Sequence, residues 1–253
     1  MLQFPHNRVL SAARWTPRSL GGPLVGWYDA ASAPGANGES IDRWTDLSGR
    51  GNDATQSGAA RPTIAENTLD TSKTITFNGT SQYFALPNIF AGHSAGSCYY
   101  VIKCTNDPNA DNLKTGLHHF GTDFLNSSHF TWTDGDIYEA FGTSVRKSPV
   151  DPTPALTSWR IYHVCSASND WAMYLDGVSI LSTGTNTVGF EAAPTLGRSL
   201  TTTIFFDGRI AEAIYTAQKE STADRERVEG YLAHKYGLQA NLPATHPYRT
   251  SRP

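Results

Sequence analysis

The sequence predicts an all-β fold: two antiparallel sheets packed face to face as a sandwich, one amphipathic helix near the C-terminus, and extended arms at both ends. Three observations carry that expectation. Short runs rich in β-branched and aromatic residues recur along the chain, some alternating strictly, as at Ile75 and Phe77 in "KTITFN". Asn78-Gly79 and Asp176-Gly177, dipeptides that tolerate the positive φ of tight hairpin turns, punctuate such runs, and no helical pattern intervenes. After residue 220 the apolar period lengthens to that of a helix, with Val228, Leu232 and Tyr236 on one face.

Taken in order, residues 1–21 read as an extended arm that carries Arg8, Arg14 and Arg18 before the first acidic residue, Asp29. "GPLVGWYDA" (22–30) is an apolar strand, and "SIDRWTDLSGRGNDATQ" (40–56) is a long turn-rich loop. "KTITFNGTSQYFAL" (73–86) is a strand followed by its turn, and "SCYYVIKCT" (97–105) reads as a strand buried on both faces. "LHHFGTDF" and "SHFTWT" read as shorter, more exposed strands. Beyond the "SPVDPTPALT" loop, "SWRIYHVCSAS" (158–168) and "DWAMYLDGVSIL" (170–181) form a hairpin-marked pair, and strand chemistry resumes in "TIFFDGRIAEAIYT" (203–216). Ser221 or Thr222 can cap the helix, Asp224 stands in the capping-box position after Ser221, and Gly237 followed by Leu238 fits a left-handed stop. These signals place the helix at 222–236 inside a main domain of 22–238. Residues 239–253, with Pro243, Pro247 and Pro253, remain as an extended tail.

Composition excludes several classes. With 39% apolar and 17% charged residues among 253, the chain can bury a core and is too poor in charge for disorder or a coiled coil. A net charge of −3 offers no whole-chain attraction to nucleic acid or to an acidic membrane surface, so neither is expected as a partner. The start "MLQFPHNRVLSAARW" lacks the apolar core of a secretory signal and no run approaches a membrane span, so synthesis and retention in a cytoplasm are expected. Cys98, Cys104 and Cys165 lack paired spacing and read as buried, reduced thiols. Termini of this composition are ordered only when something holds them. Arg8, Arg14, Arg18, Pro243, Pro247 and Tyr248 are therefore the expected assembly contacts, pinned by neighbouring subunits.

Three separated stretches, "WTDLSGRGNDATQ", "WRIYHVCSASNDWAMYLDGVSI" and "FFDGRIAEAIYTAQKESTADRERVEGYLAHKYGL", occur in the order seen in concanavalin A-like, laminin G-like jelly rolls. In that family a strand ending in a "DG" hairpin precedes an "F-x-G-x-I-A-E" strand, and the resemblance covers about residues 24–238. It implies a two-sheet antiparallel jelly-roll sandwich. The ending "VEGYLAHKYGL…LPATHPY" is similar to tails of laminin G-like proteins encoded by bacteriophages and bacteria, many of them virion or surface components. That similarity implies a non-enzymatic bacteriophage virion structural protein: a capsid decoration, fibre or tail component. Its partners would be other virion proteins and copies of itself, and its location the virion after synthesis in the host cytoplasm. The alternative is a glycan-binding, host-recognition module, and a third reading is a laminarinase-type glycoside hydrolase.

The third reading rests on Asp134, Asp136 and Glu139 in "TDGDIYEAF", which resembles the E-x-D-x-x-E catalytic pattern of laminarinase-type enzymes. A retaining hydrolase needs two carboxyls about 5–5.5 Å apart, which alternate positions on one strand face can supply. Here Asp stands where that pattern begins with Glu, and "DGD" reads more simply as a solvated turn. Relatives of this jelly roll hold calcium with loop oxygens, which makes Asp46, Asn52 and Asp53 the candidate ligands and calcium the implied cofactor. The simpler reading is that these side chains bond backbone amides and hold the loop. Glu212 could partner that loop or Arg43. Trp132, Tyr138, Phe141, Tyr83 and Trp171 could form a sugar-stacking platform, with core packing the simpler reading for any one of them. Trp132 beside the "DGD" turn is the best exposed, and Trp132, Asp134 and Tyr138 are the candidate glycan contacts. His118, His119, His129 and His163 lack metal-site spacing and read as surface or half-buried. "GRGNDA" matches G-x-G-x-x-A without the strand and helix a dinucleotide site needs.

Overall fold

A computed structural model describes residues 14–69, 72–122, 128–199 and 203–253. In chain order the first strands are β1 (Leu24–Asp29), β2 (Arg43–Trp44), β3 (Ala54–Thr55), β4 (Thr63–Leu69), β5 (Ser72–Asn78), β6 (Phe84–Ala85), β7 (Ala95–Cys104) and β8 (His118–Gly121). They are followed by β9 (Ile137–Glu139), β10 (Lys147–Val150), β11 (Arg160–Ala167), β12 (Asp170–Leu175), β13 (Val178–Thr183), β14 (Phe190–Leu196), β15 (Asp207–Thr216) and the helix α1 (Thr222–Tyr236). The larger sheet runs β13-β12-β11-β7-β15-β5-β4, with β1 also paired to β15, and the smaller runs β2-β3-β6-β14-β8. Every pairing is antiparallel, and β9 with β10 forms a separate ribbon beside the smaller sheet.

The larger sheet is covered on both faces. Tyr100, Tyr162 and Tyr215 point toward the smaller sheet and join Trp44, Phe84, Phe120 and Leu196 in the main core. The alternating residues Tyr99, Val101, Ile161 and Ile214 point the other way, under α1. That double burial is why the centre of β7, residues 98–102 ("CYYVI"), is apolar without a break. At the β12–β13 turn Asp176 and Gly177 both take positive φ (50° and 82°), as a two-residue hairpin demands, so that dipeptide joins two strands within the "DWAMYLDGVSIL" run.

The helix lies where its sequence signals put it. The Ser221 hydroxyl accepts the Asp224 amide, Gly237 is left-handed at φ 69°, and Val228, Leu232 and Tyr236 are buried against the larger sheet. The segments flanking the domain differ from a straight path: Pro17–Leu20 and Gln239–Asn241 are 3-10 turns, and the tail then folds back on its own chain. Leu242 is buried, Asn241 donates to the Trp159 carbonyl (3.2 Å), and His234 Nε2–H donates to the Tyr248 carbonyl (2.9 Å). His246 Nε2 lies 3.1 Å from buried Glu229, which Arg225 also grips at 2.7 Å. The tail is thus held from within the chain, by apolar burial and by partners for its polar groups.

Gly230 explains part of this docking, because a Cβ there would lie 2.4 Å from Tyr248 Cβ. Alanine normally strengthens a helix by about 1 kcal/mol over glycine. Here Gly230→Ala is expected to displace the tail instead, and limited proteolysis should cut residues 239–253 faster. A higher melting temperature with unchanged proteolysis would show that the tail does not depend on this contact.

Two expectations are corrected. "LHHFGTDF" and "SHFTWT" are not exposed strands: His118, Phe120 and Phe130 are buried, and around His129 the second stretch makes only isolated bridges. The four histidines likewise lie inside. His163 is stacked between Tyr99 (4.0 Å) and Tyr174 (5.0 Å), and burial with Arg225 and Lys219 nearby pushes its pKa well down. His118 and His129 are hydrogen-bonded in the core, whereas both His163 nitrogens are buried without a hydrogen-bond partner and ring stacking with a neutral imidazole holds it there. The three cysteines are buried and free, and burial pushes the Cys104 and Cys165 thiols up to about 12.

Candidate functional site

The "TDGD" turn builds a small polar-aromatic platform beside the smaller sheet. The Gly135 amide donates to the Trp132 carbonyl (3.1 Å) with Gly135 at φ 93°, and Trp132 N–H donates to the Asp136 carbonyl (2.9 Å), which closes the turn. Asp134 accepts the Asp136 amide (3.0 Å) and the Tyr138 hydroxyl (2.7 Å). Slight burial opposes its charge, yet these donors hold the Asp134 carboxyl below the usual range, while burial and neighbouring Asp134 and Asp151 raise that of Asp136.

Beneath the turn the buried His129 ring lies 4.4 Å from that of Trp132, and Trp132 meets Tyr138 edge-on at 6.4 Å. Burial and the nearby Arg146 push His129 down to about 3, so a neutral ring supports the platform. The Arg146 guanidinium lies 4.5 Å above the Tyr138 ring. Trp132, Asp134 and Tyr138, named together from sequence, are therefore assembled in space. Arg146 joins them from the next ribbon strand's approach, and no local signal in the sequence marks it.

Glu139 does not join them. In β9, Ile137 and Glu139 face inward and Tyr138 faces out, because adjacent strand residues alternate. Glu139 is 1% exposed and accepts His118 Nε2–H (2.9 Å), the Tyr162 hydroxyl (2.6 Å), Ser128 and the amides of Ala140 and Phe141 (2.8 Å each). Since a carboxylate only accepts, His118 carries its proton on Nε2, and its Nδ1 lies 2.9 Å from the Tyr100 hydroxyl. Burial works against the charge of Glu139, but His118 and these donors overcome it and hold its carboxyl below the ordinary range. Asp134 and Asp136 lie outside the strand, in the turn, so the three carboxyls do not share one face.

The "WTDLSGRGNDA" loop holds itself. Asp46 accepts the amides of Trp27 (3.0 Å), Ser48 (2.8 Å) and Asn52 (3.0 Å) and the Ser48 hydroxyl (2.7 Å). Asp53 accepts the Asp46 amide (2.8 Å) and lies 3.4 Å from Arg43, and Asn52 donates to the Val25 carbonyl (2.8 Å). Lone pairs turned toward N–H donors do not face a cation, so these residues do not fit a calcium site. Among the described residues no group of three or more His, Cys, Asp or Glu side chains is gathered for a metal.

Glu212 partners neither that loop nor Arg43. Fully buried, it accepts the Trp27 indole N–H (2.7 Å), the Tyr236 hydroxyl (2.8 Å) and the Lys235 ammonium, which also binds Asp29 at 2.6 Å. Phe141 and Trp171 are core residues, and Tyr83 is half-buried beneath the Arg198 guanidinium at 3.8 Å. Among the assembly candidates, Arg14, Arg18 and Pro247 are exposed, Pro243 and Tyr248 are half-buried in the docked tail, and Arg8 lies outside the described residues.

No protein-family model matches the chain, and no curated protein does. Solved structures do. Trypanosoma rangeli sialidase, in complex with 2,3-difluorosialic acid, matches at 16% identity and TM-score 0.57 over 84% of this chain and 33% of its own. The binding domain of Paraclostridial Mosquitocidal Protein 1 matches at 14% and 0.59, over 85% of this chain and 53% of that one. The receptor binding domain of botulinum neurotoxin C/D mosaic serotype matches at 12% and 0.60, over 82% and 51%. At such identities the likeness is one of fold, a two-sheet antiparallel sandwich. The chain spans about a third of the sialidase and about half of the two binding domains.

Proposed function

We propose that the chain is a non-enzymatic carbohydrate-binding module whose ligand rests on Trp132 and Tyr138, with Asp134 and Arg146 supplying polar contacts. The observation that carries this reading is the platform itself: a half-buried Trp132 propped by a neutral His129 and a Tyr138 tethered by Asp134. A ring fixed before binding loses little entropy when a pyranose stacks on it, and aligned polar groups select the sugar's hydroxyls. Two of the structural neighbours are described as binding domains, one for a receptor. Recognition of a surface glycan on a host is in keeping with that likeness.

Glycan-array and titration experiments test the assignment. Trp132→Ala is expected to weaken binding at least tenfold, about 1.4 kcal/mol. A chelator is expected to leave affinity unchanged, because the Asp46 loop is closed by its own hydrogen bonds. Absence of binding to any host polysaccharide, or full binding by Trp132→Ala, would sink the proposal. The similarity of the "VEGYLAHKYGL" ending to phage-encoded proteins supports a place for the module on a bacteriophage particle, among other virion proteins and copies of itself. Immunogold labelling of particles should then mark a receptor-reading structure, and unlabelled particles would remove that placement.

A further inference from the structure

We infer that a second ligand site lies on the helix side of the larger sheet and takes a single pyranose bearing a carboxylate. A cavity of about 270 Å³ opens there between Arg14, Trp15, α1 and Arg252. It shares no residue with the Trp132 platform, and the inference stands whether or not that platform binds sugar.

The charges around the cavity decide what it selects. Lys235 lines it, but its ammonium is already neutralised by Asp29 and Glu212. His234 also lines it. Its Nε2 faces the Tyr248 carbonyl (2.9 Å) and its Nδ1 the Gln239 side-chain amide (3.1 Å), so both ring nitrogens are already engaged. Two guanidiniums remain, with the carboxyl-bearing Pro253 beside them on the lining and in no ion pair with them among the described residues. Arg14 and Arg252 are exposed, and among the described residues neither forms an ion pair. Two unpaired Arg forks on one small cavity favour a planar anion, for which carboxylate is the geometric match.

The remaining wall is aromatic. Trp15 and Tyr231 meet at 5.8 Å and 59°, and Tyr231 is braced edge-on by Trp27 at 6.5 Å. Bracing fixes a flat apolar surface beside the guanidiniums, suited to the C–H face of a sugar ring. The volume lies below the roughly 300–1,000 Å³ of pockets for drug-sized ligands, which limits the occupant to about one ring. One ring, one apolar face and one planar anion together describe a uronic-acid-type monosaccharide.

Calorimetric titration of the full chain with glucuronate, glucose and inorganic phosphate tests this. Glucuronate is expected to bind saturably and at least tenfold more tightly than either of the others, and to weaken as salt is raised. Arg14→Ala and Arg252→Ala should each lower its affinity at least fivefold, as should Trp15→Ala, while Trp132→Ala leaves it unchanged. Because Arg14 and Arg252 are exposed and unpaired, an unaltered melting temperature should accompany their loss of binding. No saturable glucuronate binding, equal binding of phosphate, binding that survives both Arg substitutions, or binding abolished by Trp132→Ala would each overturn the assignment.

Discussion

Replacing Lys235 with Met is expected to remove about 3–5 kcal/mol of folding stability at neutral pH, the usual result of stripping one partner from a buried ion pair. Met keeps the apolar stem, so the loss reports the charge. Glu212 is wholly buried between β15 and α1, and without Lys235 only hydroxyl and indole donors face its carboxylate. Burial already raises the Glu212 pKa even with Lys235 opposing it. A carboxyl whose folded pKa lies above its unfolded value contributes stability that is present below the unfolded pKa and lost as pH rises through the folded one. The deficit of Lys235→Met should therefore shrink as urea titrations are repeated at falling pH. A double variant with Glu212→Gln should recover much of the loss, since the two residues are coupled and their effects do not add. A pH-independent deficit, or strict additivity, would mean that Lys235 matters only through packing.

Glu139→Ala is the second large effect, again about 3–5 kcal/mol and therefore on the order of 10 °C in Tm for a chain of this size. Truncation leaves His118, Tyr162, Ser128 and two backbone amides without their acceptor inside the sandwich. The sign of the pH dependence is opposite to that of Glu212. Because the Glu139 pKa is depressed, its stabilisation is present above the unfolded value of 4.5 and is lost as pH falls through the folded value. Acid unfolding of Glu139→Gln should accordingly be less steep below that point than in the parent. The same variant is expected to bind glycan as the parent does, and a reducing-sugar assay should find both without activity. Hydrolysis by the parent that disappears in Glu139→Gln would instead make this carboxyl catalytic.

How far such sites can be read from sequence depends on where their partners lie. The helix is legible because Ser221, Asp224, the Val228–Tyr236 stripe and Gly237 all act within a turn or two of one another. The centre of β7 is legible because burial on both faces leaves the five residues 98–102 apolar, with nothing to break the run. The platform is half legible: Trp132, Asp134 and Tyr138 lie within seven residues, but Arg146 arrives through the pairing of a separate ribbon strand. Buried polar pairs are the least legible. His118 looks like a surface residue until Glu139, 21 positions on, is seen to take its proton. Glu212 meets Trp27 across 185 positions. Asp46, by contrast, has most of its donors within six residues, so the hydrogen-bonded loop could be anticipated from spacing alone.

The position of β15 has a consequence for how the molecule is made. It is the last strand in the chain, yet it lies at the centre of the larger sheet, pairing with β7 along one edge and with β5 and β1 along the other. Trp27, opposite Ile214, must wait for nearly the whole domain to be translated before its partner exists. At about 5–20 residues per second that interval is on the order of 10–40 s, during which β1 and β7 present unpaired apolar edges. The sandwich therefore closes from the C-terminal side, after synthesis of β15 and α1. An interrupted chain lacking them would present to the cell an aggregation-prone half-sheet.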